Sequence, residues 1–155
     1  MQWTSEENGG FSTAKPKDLV RPLPEGDFGP KAVNVADQRR DPDSLLNWME
    51  RIIRRRQECP EWGWGKMSFL DAPTPAVLGH RSDWAGRTLV AFHNLSGKAQ
   101  KFEIQLPPED DFVGATDLLG TDGYTEVKGH SLPVKLGGYG YQWFRLQKRG
   151  QRILP

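Results

Sequence analysis

The chain predicts a mainly β fold: an antiparallel β-sandwich preceded by a long loop and one α-helix. Three observations carry that expectation. From about Lys66 to Gln147 apolar residues recur with a period of two, so each run has one buried and one wet face. Gly and Pro number 17 and 12 in 155 residues, a composition of turns and short strands rather than of a helical bundle. A single stretch, around Leu45 to Ile53, carries the 3.6-residue period of an amphipathic helix. These divide the chain at residues 1–65, 66–148 and a tail, 149–155.

In residues 1–40, Pro16, Pro22, Pro24 and Pro30 interrupt any regular element, and a long surface loop is expected. The helix is expected over about 42–58. Asp41 suits the N-cap and Pro42 the first helical position, where no backbone donor is needed. Leu45, Trp48, Met49, Ile52 and Ile53 form its apolar stripe, and Pro60 and Gly63 end it. Arg51, Arg54, Arg55 and Arg56 crowd its C-terminal half, where positive charge complements the helix dipole; a nucleic-acid contact is the competing reading and is set aside.

The expected strands are Met67–Asp71, Ala76–Arg81, Thr88–Leu95, Phe102–Leu106, Gly114–Leu118, Thr125–Val127, Leu132–Leu136 and Tyr139–Leu146. Asp83-Trp84-Ala85-Gly86, Ser96-Gly97, residues 120–123 and Gly137-Gly138 separate them, which favours a sandwich.

Composition limits function. Lys+Arg 21 against Asp+Glu 20 leaves no field to attract nucleic acid or an anionic membrane. No run of about 18 apolar residues could span a bilayer, and the first ten residues lack a secretory pattern, so a cytoplasmic protein is expected. The one cysteine, Cys59, cannot form an internal disulfide and has no neighbouring His to activate it. His80, His93 and His130 lack metal-ligand spacing, and neither a metal nor a cofactor is expected.

Three segments in succession resemble one family. These are Met1-Gln2-Trp3, the stretch from Asn34 to Arg51, and the sandwich strands Ala76–Arg81, Val90–Ser96 and Gly138–Leu146. Together they are similar to the end of the catalytic (β/α)8 barrel and the C-terminal β-sandwich of the alpha-amylase superfamily, glycoside hydrolase family 13, most closely its trehalose-synthase and alpha-glucosidase members. The resemblance implies a Greek-key-like sandwich behind the leftover loop and helix of a barrel, with the first 40 residues bordering the face where barrels place their active sites.

It also implies that this chain carries no catalytic residue. Retaining glycosidases need two carboxylates about 5 Å apart. In the family those acids precede the Met-Gln-Trp motif, while Asp41 and Asp43 are accounted for by the helix start, and Glu109-Asp110-Asp111 reads as a solvated turn. Sugar contact is expected instead from Gln2, Trp3, Asn8 and Phe11, which offer amides and aromatic faces within a dozen residues; packing of Trp3 under the barrel rim is the alternative. Trp62, Trp64 and Trp84 could form a carbohydrate platform, or simply pack.

Five apolar helix residues left in water would cost on the order of 10 kcal/mol, so the helix is expected to pack on the sandwich through Trp48, Trp62 or Trp64, or on a second copy. Two functional readings follow. One is the C-terminal portion of an enzyme acting on maltose, trehalose or alpha-glucan, partnered by a catalytic barrel. The other is a free-standing carbohydrate-binding or assembly module.

Overall fold

The computed structural model describes residues 2–120 and 123–151. Met1 of the opening motif, the middle of the 120–123 turn and residues 152–155 of the expected tail lie outside the described residues. The chain separates into two compact units, Met1–Arg54 and Arg55–Pro155. Among the described residues no helix is long and apolar enough to cross a membrane.

The first unit is held by polar groups. After short 3-10 turns at Glu7–Gly10, Pro16–Asp18 and Gly26–Phe28 comes helix α1, Val35–Arg40, inside the stretch expected to be loop. Asn34 is its N-cap: the side-chain oxygen accepts from the Asp37 amide at 2.9 Å, and Nδ2 donates to the Pro30 carbonyl at 2.9 Å. Six residues among prolines are too few to show a helical period, which is why pattern reading missed α1.

Helix α2 spans Leu45–Gln57, starting three residues later than Pro42. Ser44 caps it, its hydroxyl accepting from the Asn47 amide at 3.2 Å while donating to the Gln38 carbonyl at 2.6 Å. Asp41 closes α1 instead and accepts from the Asp43 amide at 2.9 Å, so residues 41–44 turn the corner between two helices. Asn47 ties the corner by donating to the carbonyls of Gln38 and Asp41 at 2.8 and 2.7 Å. No side chain of α2 is buried, and Leu45, Met49 and Ile53, one stripe at i, i+4 and i+8, are 67%, 42% and 50% exposed.

The second unit is the β-sandwich. It opens with helix α3, Glu61–Trp64, followed by β1 (Lys66–Leu70), β2 (Val77–Trp84), β3 (Arg87–Asn94), β4 (Gln100–Gln105), β5 (Phe112–Asp117), β6 (Tyr124–Glu126), β7 (Ser131–Leu136) and β8 (Tyr141–Lys148). One sheet runs β1-β2-β3-β8-β5-β6 and the other is β4-β7, all antiparallel. The last strand inserts between β3 and β5 after the chain has visited the second sheet, a Greek-key return.

Val77, Val90, Phe92, Phe112, Ala115, Phe144 and Leu146 of the large sheet meet Ile104, Leu132, Val134 and Leu136 of the small one in a single buried cluster. Strand β2 runs on to Trp84, past the expected end at Arg81. Ala85 and Gly86, at φ 48° and 77°, close a two-residue hairpin that keeps the ladder in register to Trp84 and Arg87. The start of the expected tail is fastened, since the Arg149 amide donates to the Asp111 carbonyl at 3.2 Å.

Candidate functional site

Two places combine chemistry with accessibility, one in each unit. In the first unit the opening residues fold back on themselves. The Trp3 amide donates to the Gly9 carbonyl at 2.8 Å, and the Val35 amide donates to the Gln2 carbonyl at 2.8 Å, tying the chain start to the head of α1. Gly9 sits at φ +61°, with its Cα so near Gln2 that a Cβ would stand 2.9 Å from the Gln2 side chain.

The four residues expected to meet sugar divide into two pairs. Gln2 and Asn8 are buried. Gln2 Nε2 donates to the Phe28 carbonyl at 3.2 Å, and Asn8 Nδ2 donates to the carbonyls of Ser12 and Ala14 at 2.9 and 2.6 Å. Asn8 Oδ1 is buried with no partner among the described residues. Trp3 and Phe11, by contrast, are 52% and 55% exposed. The amides shape the loop, and the rings are what it presents.

In the second unit the site is the face of the large sheet turned away from the core, the outer face. Period-two alternation puts Met67 and Phe69 of β1, His80 and Ser82 of β2, His93 of β3 and Trp143 of β8 on it. Trp62 of α3 lies over it, 4.8 Å from the His80 ring and 5.6 Å from Trp143 in an edge-on arrangement. The His80 and His93 rings stack in parallel at 5.8 Å. Burial lowers the His80 imidazole below its ordinary value, helped by His93, and burial alone does the same for His93, so both are neutral at pH 7.

Arg56, Trp62, Gly65, Met67, Phe69, His80, Ser82 and Trp143 line a hollow of about 320 Å³ on this face. Its floor is fixed from below. Ser82 Oγ donates to the Glu61 carbonyl at 2.6 Å, the fully buried Glu61 carboxylate pairs with Arg145 at 3.3 Å, and Gly65 passes so close to both Glu61 and Ser82 that no Cβ would fit. Of the three tryptophans considered as a platform, Trp62 is packed, while Trp64 and Trp84 are 79% and 38% exposed.

The remaining charged cluster explains itself. Arg81 pairs with Asp83 and Asp110, each at 2.7 Å, and Lys148 joins Asp110 at 3.3 Å. Burial would raise the Asp83 carboxyl, but hydrogen bonds from Arg81 and Thr88 outweigh it and hold it below the ordinary value; Arg81 and Lys148 do the same for Asp110. Asp110 is therefore an anchor rather than the solvated turn residue expected. Two carboxylates held ionised by shared cations cannot supply a proton donor. Among the described residues, no group of three or more His, Cys, Asp or Glu could hold a metal ion.

No family model matches the chain. It is 33% identical to the trehalose synthase/amylase TreS of Mycobacterium tuberculosis and 32% identical to the trehalose synthase of Pimelobacter, each over 94% of this chain. An oligo-1,6-glucosidase of Halalkalibacterium halodurans is 26% identical over 90% of it. The chain spans about a quarter of the length of the curated relatives it matches. Among solved structures, an isomaltulose synthase mutant from Erwinia rhapontici aligns with TM-score 0.67 and 21% identity, covering 94% of this chain and 24% of that one. The trehalose-6-phosphate hydrolase of Bacillus licheniformis aligns with TM-score 0.67 and 24% identity, covering 95% and 25%. These structures share the fold.

Proposed function

This chain belongs with the C-terminal part of the glycoside hydrolase family 13 enzymes, and from that premise we propose that it works as the non-catalytic end of a maltose-, trehalose- or alpha-glucan-acting enzyme. In this reading residues 1–65 complete a catalytic barrel, residues 66–148 form the sandwich behind it, and the reacting carboxylates come from the barrel. The reaction is a glucosyl isomerisation or transfer of the trehalose-synthase kind, or an alpha-glucosidase hydrolysis. Trp3 and Phe11 offer ring faces to the sugar, and Gln2 and Asn8 hold the loop that carries them. The cytoplasm is the compartment that suits it, with Cys59 free and buried.

One observation carries this reading. Helix α2 has a stripe of Leu45, Met49 and Ile53 in water, an arrangement that calls for a covering surface. The test is a hybrid in which this chain replaces the matching quarter of a trehalose synthase. The hybrid should convert maltose, and the chain alone should convert neither maltose nor trehalose. Turnover by the isolated chain would overturn the proposal. Exposed Trp64 and Trp84 favour a second reading, a free-standing carbohydrate-binding or assembly module. Saturable maltooligosaccharide binding by the isolated chain, beside an inactive hybrid, would select it.

A further inference from the structure

We propose that a basic hollow between α1 and α2 binds a phosphate group, free or as a phosphomonoester, through the guanidinium groups of Arg39 and Arg51. A cavity of about 280 Å³ opens there, lined by Arg39 and Arg40 at the end of α1 and by Asn47, Glu50, Arg51 and Arg54 of α2. The four α2 residues fall at i, i+3, i+4 and i+7, so one face of that helix meets the arginines of α1. Four guanidinium groups share one carboxylate on this wall. Arg54 pairs with Glu50 at 3.0 Å, and Arg40 reaches Asp37, beyond the wall, at 3.6 Å. Arg39 and Arg51 have no carboxylate partner among the described residues. Arg51 is nevertheless held in place: Nη1 donates to the Pro42 carbonyl at 2.6 Å, which leaves the other N–H groups of its fork available.

The backbone around the hollow is already satisfied. Asn47 Nδ2 donates to the carbonyls of Gln38 and Asp41 at 2.8 and 2.7 Å, and Arg51 covers that of Pro42, so acceptors that would repel an anion are occupied. The amides at the head of α2 are occupied too, that of Leu46 by Gln38 Oε1 at 2.9 Å and that of Asn47 by Ser44 Oγ at 3.2 Å. Guanidinium N–H groups are the donors left to a ligand. Two positive charges without a carboxylate match a phosphate group, which carries about −1.5 to −2 at pH 7, and arginine forks match its oxygens. No aromatic ring lines the hollow, so neither a nucleic-acid base nor the face of a sugar finds a stacking partner there. Recognition is of the phosphate itself.

Isothermal titration calorimetry of the whole chain at low salt, with inorganic phosphate and with glucose 6-phosphate, tests this. Binding needs neither a partner polypeptide nor turnover, so its failure would leave the functional reading above untouched. At least one probe should bind saturably at one site per chain, and the ratio of the two affinities tells the free ion from the ester. Arg39→Gln should weaken that binding about tenfold or more and leave the melting temperature of the free chain unchanged, since the Arg39 side chain has no partner among the described residues. Arg51→Gln should weaken it as much. Arg39→Lys, which keeps the charge and loses the fork, should weaken it less. Arg21→Gln, exposed in the same unit and off the hollow, should bind like the unsubstituted chain. Absence of saturable binding by either probe would overturn the site. So would equal weakening by Arg39→Gln and Arg21→Gln, which marks diffuse charge, or glucose binding as tightly as glucose 6-phosphate. Tighter binding of a single-stranded oligonucleotide than of either probe would assign the arginines to nucleic acid and overturn it as well.

Discussion

The two units are built on opposite principles. The sandwich encloses an apolar cluster in which Val90, Phe92, Leu132 and Phe144 have no more than 1% of their surface exposed. Among its described residues the N-terminal unit buries Gln2, Asn8, Asn34 and Ser44, with Val35 as the buried large apolar residue, and leaves Leu45, Met49 and Ile53 of α2 exposed while Leu46, Trp48 and Ile52 are half-buried. Apolar burial stabilises in proportion to area wherever it occurs, whereas a hydrogen-bonded polar lattice contributes little net stability and mainly specifies geometry. The sandwich therefore carries its own stability, whereas the shape of the first unit is specified mainly by hydrogen bonds, with the stripe of Leu45, Met49 and Ile53 left exposed. That contrast can be broken or sharpened experimentally.

The largest effect belongs to the sandwich core. Phe92→Ala removes a fully buried ring that meets Phe102 edge-on at 5.7 Å, and should cost about 3–5 kcal/mol in urea denaturation of the chain. A loss below about 1 kcal/mol would mean that the two sheets are not held by this cluster. Next comes the polar lattice. Asn34→Ala removes the α1 cap and leaves the Pro30 carbonyl unpaired, with an expected cost of about 2 kcal/mol. Hydrogen exchange should locate that loss in residues 2–40, with β3 and β8 unchanged; equal loss in the strands would dissolve the distinction between the units.

Acid should weaken the sandwich in two stages. His80 and His93 titrate lower in the folded chain than their ordinary value of about 6.5, so unfolding takes up protons there. Their contribution is intact above about pH 6.5 and is lost as the pH falls from there through the lowered folded values. Asp83 and Asp110, also lowered, act in the same direction in a more acid window, below about pH 4. The urea midpoint should therefore drop between pH 7 and 5, and His80→Gln/His93→Gln should flatten that drop. A midpoint level across this interval in the unsubstituted chain would contradict the stacked neutral pair.

Legibility in the sequence follows the same divide. Alternation such as Phe102-Ile104-Leu106 and Leu132-Val134-Leu136 exposed the strands because a sandwich sorts residues by solubility, and that sorting is periodic. What alternation cannot show is register. His80 and His93 stack only because β2 and β3 pair His80 with Ala91, a relation fixed by the Ala85-Gly86 turn. The polar unit left fainter traces, since a side chain bonding a backbone carbonyl has no period. Nothing in the order of residues marks Gln2 and Asn8 as amides engaged by the loop's own carbonyls, although Asn34-Val-Ala-Asp37 does carry a cap signature.

The smallest effect is the most diagnostic of the first unit. Leu45→Ser and Ile53→Ser alter side chains that are 67% and 50% exposed, so each should change the isolated chain's stability by no more than about 0.5 kcal/mol. Placed in a hybrid where a barrel covers α2, the same changes would remove apolar area from a closed interface, and each should then cost about 1–3 kcal/mol. The ratio between the two settings measures how far the helix stripe is made for a partner. If isolated chain and hybrid respond alike, the stripe is ordinary surface, and the first unit is complete without a covering barrel.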